Sequence, residues 1–412
     1  MSFESKLRKY AKLAVLNGTG LKEGQTLVIT APVNAQEFVR LCVESAYEDA
    51  KAGYVFVRWT DDLTSRLTYK NANIDRIANV DDWVVAQYRR FVDEGAAALS
   101  IYAPAPGLMD DVDASVIAKV SSATQKAIAF YRQHMMANQS QWSLVSIPNT
   151  FWAKKIFPDL NENDAVNALW EAIFKAVRVS DDNDPMLDWD VHNTTLHANN
   201  DKLNQHQFSS LKFKNSIGTD VEVGLVKNHR WAGGAEVAAN GQIFNPNIPT
   251  EETFTMPHKD RVNGKVVATK PLSYQGRLID EFYFVFKDGK VVEYDAKVGK
   301  ETLDYLMNSD EGVRSIGEIA LISHDSPISN MNILFYNTLY DENASCHMAL
   351  GRAYPMNVLN GTTMSDEELK AVGMNFSNEH VDFMFGSEDM SILGVKEDGS
   401  EVVVFKDGNF AF

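Results

Sequence analysis

The chain has 412 residues, of which 45% are hydrophobic and 23% charged, the composition of an ordinary globular protein with room for two or three domains. Its net charge of −17 at pH 7 argues against nucleic acid as a partner, because phosphate binding needs basic patches. Solubility, or attraction of cationic ligands, remains as a use for the acidic surface.

The opening residues Met1-Ser2-Phe3-Glu4-Ser5-Lys6 lack the apolar core of a secretion signal. No run reaches the ~18–20 apolar residues that span a bilayer, so a cytoplasmic protein with no membrane partner is expected. Residues 3–16 place Phe3, Leu7, Tyr10 and Leu13 at helical spacing. Leu27-Val28-Ile29-Thr30 predicts a short buried strand, followed by an amphipathic helix from Asn34, a candidate N-cap, to Ala52. Strands are predicted again at Tyr54–Trp59, Ala97–Tyr102 and Trp142–Ile147, with helical stretches between them. Buried strands joined by helices of this length imply parallel pairing, hence a Rossmann-like α/β domain over residues 1–205.

No nucleotide is expected there. Gly18-Thr19-Gly20-Leu21-Lys22-Glu23-Gly24 has the wrong spacing for a dinucleotide fingerprint and precedes the first strand, and GxxxxGK[ST] is absent. Cys42 and Cys346 form neither a CxxC knuckle nor a disulfide framework and read as buried thiols. An acidic turn at Asp181–Pro185 opens a long polar helix containing His192 and His197. Beyond it the chain turns β-rich. Asp288-Gly289 marks a hairpin between Glu281–Phe286 and Lys290–Tyr294, and a second Asp-Gly turn joins Ile392–Lys396 to Val402–Phe405. Residues 206–412 therefore predict a mixed, mostly antiparallel α+β domain.

That second half holds the residues able to carry chemistry. In His380-Val381-Asp382 an extended backbone projects both polar side chains from one face. His347 sits in Ala344–Gly351, a run of good helix formers after the candidate cap Asn343. On such a helix Tyr354 lies two turns along the same face. Glu318 stands in the apolar run Ile316–Ile322, where an unpaired carboxylate costs several kcal/mol, so a metal or an Arg such as Arg314 or Arg352 has to partner it. Glu252 follows the turn Pro249-Thr250-Glu251 into a strand-like stretch. Each residue taken singly admits a plain structural reading. As a set, three carboxylates and two neutral imidazoles suit two divalent cations about 3.5–4 Å apart, able to activate water and polarise a carbonyl. Without thiolate the set fits Zn, Co or Mn, with Mg admitted. HExxH and GxSxG are both absent.

The blocks Asn247–Thr255, Arg314–Leu321, Leu339–Gly351 and His380–Met384, in this order, resemble the signature blocks of the aminopeptidase T and aminopeptidase S family of metallo-aminopeptidases, and the similarity runs along the whole chain. The resemblance implies a cytoplasmic homodimer, with a two-metal site in its C-terminal domain, that removes N-terminal residues from short peptides. It implies Glu252, Glu318, His347, His380 and Asp382 as ligands, with Glu318 bridging. Tyr354 matches a tyrosine placed to bond the oxyanion or a metal-bound water. Family members often have Gly where this chain has Glu251, which is then either a solvated turn carboxylate or a general base. Asp341, Glu342 and Glu251 are candidates for holding the substrate ammonium. Two other readings stay open: another dinuclear amidase or phosphoesterase, and a non-catalytic metal-stabilised binding protein.

Overall fold

The computed structural model describes residues 3–274 and 277–412. Strands β1 (Thr26–Pro32), β2 (Tyr54–Thr60), β3 (Ala97–Tyr102) and β4 (Trp142–Ser146) form a four-stranded sheet in the order β2-β1-β3-β4, every pair parallel. Parallel neighbours need long crossovers, and each connection carries helix: Gln36–Glu48, then Asp62–Asn71 and Asp82–Asp93, then Ala114–Ala127 and Ala129–Met136. Central β1 buries Leu27, Val28, Ile29 and Ala31, as a strand covered on both faces must. Asp61, Asn73, Asp113, Asn149 and Asn161 start their helices by accepting a backbone N–H of the first turn, which satisfies donors the helix cannot pair itself. The helix expected over 34–52 is shorter. A 3₁₀ turn takes Val33–Ala35, and Asn34 does not cap it.

A 22-residue helix, Pro185–His206, begins on a proline, where no N–H is required. By compactness the chain divides within this helix. One unit runs to Val191 and takes back Ala235–Pro249; the other comprises His192–Gly234 and Thr250–Phe412. The break expected at 205/206 marks instead the end of that helix. The returning stretch has no signature in the sequence because, after β5 (Ser210–Lys214) and β6 (Asp220–Leu225), it offers only the two-residue strands β7 (Glu236–Val237) and β8 (Ile243–Phe244).

The second unit continues through β9 (Thr253–Thr255), β10 (Pro257–Val267), β11 (Leu272–Tyr274), β12 (Arg277–Lys287) and β13 (Lys290–Val298). After a helix at Lys300–Met307 come β14 (Ile316–Leu321), β15 (His347–Gly351), β16 (His380–Met384), β17 (Ser391–Val395), β18 (Glu401–Lys406) and β19 (Asn409–Phe410). A nine-stranded antiparallel sheet runs β11-β12-β10-β6-β5-β17-β18-β19, with β13 added on β12. The Asp288-Gly289 turn has φ of 48° and 78°, the left-handed pair that matches a hairpin's twist. A second antiparallel sheet of four strands runs β16-β15-β14-β9.

This smaller sheet corrects one expectation: His347 lies on a strand, not a helix. Its run is rich in helix formers, but β15 pairs with β14 on one side and β16 on the other, and all five of its residues are buried. Packing on both edges and both faces overrides local propensity. One face, Ile319, Leu321, Met348, Leu350, Val381 and Phe383, joins the main apolar core with Phe282 and Phe284. Phe383 sets its ring 5.0 Å from Phe284.

Where β15 ends, Gly351 has φ of +101°, and a Cβ there would stand 2.3 Å from the Glu379 carbonyl oxygen. Gly351→Ala is therefore expected to destabilise the protein by about 1–3 kcal/mol, read as a lower urea midpoint at unchanged slope. A wild-type midpoint would show that the strand end tolerates a side chain.

Candidate metal centre

The register of the small sheet decides what its other face carries. Ala320 lies opposite both Phe254 and His347, Ala349 opposite both Glu318 and Asp382, and Gly351 opposite His380. Opposed residues share a face and successive ones alternate. Glu318, His347, His380 and Asp382 therefore project together, and Glu252, just before β9, follows the same parity. The small residues Ala320, Ala349 and Gly351 between them leave the longer polar side chains room to meet.

They do meet. His347 Nε2 is 3.4 Å from Glu318 Oε1 and 3.5 Å from Glu252 Oε2. His380 Nε2 is 3.9 Å from Glu318 Oε2 and 3.4 Å from Asp382 Oδ1. Two groups result, Glu252–Glu318–His347 and Glu318–His380–Asp382, each with ligand atoms within 4.8 Å of one another. Glu318 belongs to both, one oxygen turned to each imidazole. Neither Arg314 nor Arg352 pairs with it: Arg314 donates instead to Asn308 Oδ1.

The donor set fits divalent cations on two further observations. His347 Nδ1 lies 2.9 Å from the Glu342 carbonyl oxygen, and His380 Nδ1 lies 2.7 Å from that of Arg352. A carbonyl only accepts, so both Nδ1 atoms carry hydrogen, and in the neutral rings the Nε2 lone pairs point into the carboxylates. Asp382 Oδ1 is buried and makes no hydrogen bond, with only His380 Nε2 near it at 3.4 Å. A carboxylate oxygen left so is costly unless a cation meets it.

The electrostatics agree. Burial, then the charge of Glu318, pushes the Glu252 carboxyl up to about 8. At His347 burial opposes the charged form, but Glu318, Asp382 and Glu252 outweigh it and raise the imidazole to about 10. At His380 burial likewise opposes the charge, and Asp382 and Glu318 raise it to about 9. Three clustered carboxylates, Glu318 buried and Glu252 and Asp382 half-buried, thus draw protons wherever a lone pair can take one. Protons and metal ions compete for the same lone pairs, so the cluster is built for added positive charge.

Tyr354 reaches this site by another route than expected. It follows the strand in extended conformation, at the start of the 3₁₀ turn Pro355–Asn357, and its ring centroid is 4.8 Å from that of His380. Burial and then the nearby Glu318, Asp382 and Glu252 charges hold its phenol protonated far above the ordinary range. Glu251 is buried, not a solvated turn residue. Its carboxylate lies 3.7 Å from His192 Nε2, and its N–H donates to Asn343 Oδ1 at 2.7 Å. Asn343, expected to cap a helix, clamps this turn instead. Asp341 accepts backbone N–H bonds on both oxygens, from Phe335 and Asn337. From the sequence Glu342 is only one of three ammonium candidates. Burial and then the charges of Asp382 and Glu252 raise its carboxyl well above the usual range, so it belongs to the cluster's charge environment. Its place is set by tertiary packing, and no local pattern separates it from Asp341.

Residues 3–410 match the family model described as thermophilic metalloprotease (M29). The chain is 45% identical over 410 residues to aminopeptidase 2 of Geobacillus stearothermophilus, covering 100% of this chain and 98% of that one. It is 42% identical over 411 residues to aminopeptidase AmpS of Bacillus subtilis (strain 168), covering both chains fully. Among solved structures, wild-type AmpT from Thermus thermophilus is similar with a TM-score of 0.92 at 36% identity, over 100% of both chains.

A site that gathers this much negative charge should stabilise the fold when cations fill it. Chelation is expected to lower the melting temperature by several °C, and adding back Zn, Co or Mn to restore it. A melting curve indifferent to chelator and metal would remove the metal-centre reading.

Proposed function

The chain belongs to the M29 metallopeptidase family, and on that premise we propose a metal-dependent aminopeptidase that removes the N-terminal residue of short peptides. The observation that carries this reading is Glu318, whose two carboxylate oxygens face two imidazoles in two overlapping ligand groups. We assign Glu252, Glu318 and His347 to one divalent ion and Glu318, His380 and Asp382 to a second, with Glu318 bridging. Ions held there supply Lewis-acid polarisation of the scissile carbonyl and activation of the attacking water.

The chain's own residues do the rest. Tyr354, kept protonated and packed on His380, donates its O–H to the oxygen that gains charge as the carbonyl turns tetrahedral. Glu342 faces the same charge environment and is assigned to the substrate ammonium. Asp341 is not assigned to that task, because it is buried and one backbone N–H already holds each of its oxygens. Glu251, beside ligand Glu252 and near His192, is the candidate general base. The finer assignments (two ions; Zn, Co or Mn, with Mg admitted; a cytoplasmic homodimer) rest on ligand chemistry and on the family. No helix among the described residues is long and apolar enough to cross a membrane. A Rossmann-like assignment of the first unit is supported by its β2-β1-β3-β4 parallel order, which begins one of the doubly wound arrangements.

Glu318→Gln is expected to abolish cleavage of aminoacyl p-nitroanilides and to weaken metal binding while circular dichroism stays native. Full activity in that variant would sink the two-ion assignment. N-acetylated substrates should resist the wild-type enzyme; their cleavage would rule out an exopeptidase, and faster turnover of phosphate esters would point to another dinuclear hydrolase. Tyr354→Phe should lower kcat about 10²-fold with KM nearly unchanged, the loss typical of one oxyanion donor. A wild-type kcat would remove Tyr354 from the reaction.

A further inference from the structure

The second unit holds a cavity of about 490 Å³, a size suited to a small molecule, whose wall includes Lys227, His229, Arg261, Lys396, Glu397 and Asp398. In a chain of net charge −17 most cations would be expected to find carboxylates, yet none of Lys227, Arg261 and Lys396 forms an ion pair among the described residues. Asp398 accepts from Ser400 N and Oγ at 2.9 and 2.6 Å, and these bonds, with a smaller contribution from the charge of Lys396, hold its carboxyl below the usual range without an ion pair forming.

Arg261 is set in place, not trailing in solvent. Its guanidinium donates to the Leu225 carbonyl oxygen at 3.2 Å and to Ser209 Oγ at 3.0 Å, both neutral acceptors that fix the fork without cancelling its charge. Its stem lies across Gly224, where a Cβ would stand 2.5 Å from Arg261 Cβ and 2.8 Å from Nε. Beside it His229 is 2% exposed. Its Nδ1–H donates to the Val226 carbonyl, so its Nε2, buried with no hydrogen-bond partner, is an acceptor suited to the hydroxyl of a protonated oxyanion.

We infer that this cavity is a binding site for a small oxyanion, a phosphate or a carboxylate, held by Arg261 and Lys396 and distinct from the metal centre. A preset guanidinium fork beside a lysine matches the planar, charge-dense face of such groups. No residue of this wall belongs to the ligand set, so the inference stands apart from the aminopeptidase reading.

The test is thermal unfolding of the metal-loaded protein titrated with inorganic phosphate, and in parallel with succinate, at ionic strength held constant with sodium chloride. A saturable rise in melting temperature with either is expected, and which one acts names the group. The Arg261→Gln/Lys396→Gln double variant should bind about a hundredfold more weakly or worse, since losing each charged hydrogen bond costs about tenfold. Gly224→Ala, which displaces the Arg261 stem while keeping every charge, should weaken binding as well. Saturation by neither anion, or wild-type affinity in the double variant, overturns the proposal.

Discussion

Gathering three carboxylates, one buried and two half-buried, on one face of a four-stranded sheet is the constraint to which the rest of the second unit answers. A carboxylate left alone in such a place costs several kcal/mol, and Glu318, 5% exposed, sits beside two more. The strands can carry this load because the opposite face of β14, β15 and β16 is apolar and packs into the main core, so the sheet is anchored before any cation arrives. Alternation along a strand makes this division possible: odd and even positions meet different surroundings, and one chain segment serves as core and as ligand carrier at once.

Much of this was legible in the sequence. The parallel strands of the first unit, the Asp-Gly hairpin and the His-x-Asp pair all appear where alternation and turn chemistry put them. Glu318 stood out because a charge inside Ile316–Ile322 demands a partner. What failed did so for one reason, which is that tertiary packing overrode a local signal. Ala344–Gly351 reads as helix by propensity but is claimed by strands on both sides. Helical arithmetic puts Tyr354 near the ligands, and it stands there because it follows β15 in extended conformation, just before a 3₁₀ turn. Glu251 looked like a solvated turn residue, and Asn343, which looked like a helix cap, holds that turn inside the protein. The return of Ala235–Pro249 to the first unit has no local signature at all.

The acidic composition takes on a different look once charge is placed. Many carboxylates meet lysine or arginine on exposed surface, where such pairs contribute little. The two informative places are those where charge is not matched: the metal centre, with surplus acid, and the cavity beside Arg261, with surplus base. Segment 229–232 touches both environments. His229 lines the cavity and pairs with Val358, while Ala232 exchanges backbone hydrogen bonds with Phe254, two residues beyond Glu252.

The imidazoles are aimed by main-chain carbonyls, those of Glu342 and Arg352. Many metal-binding histidines are oriented by a carboxylate side chain, which a single base change can delete. A carbonyl cannot be deleted by substitution. The aim of His347 and His380 is thus written into the path of the backbone, and a side-chain change at 352, or at 342 apart from its task at the substrate ammonium, turns neither ring. Drift there would change the charge around the centre, which is a lever for tuning substrate preference that leaves the metal geometry alone.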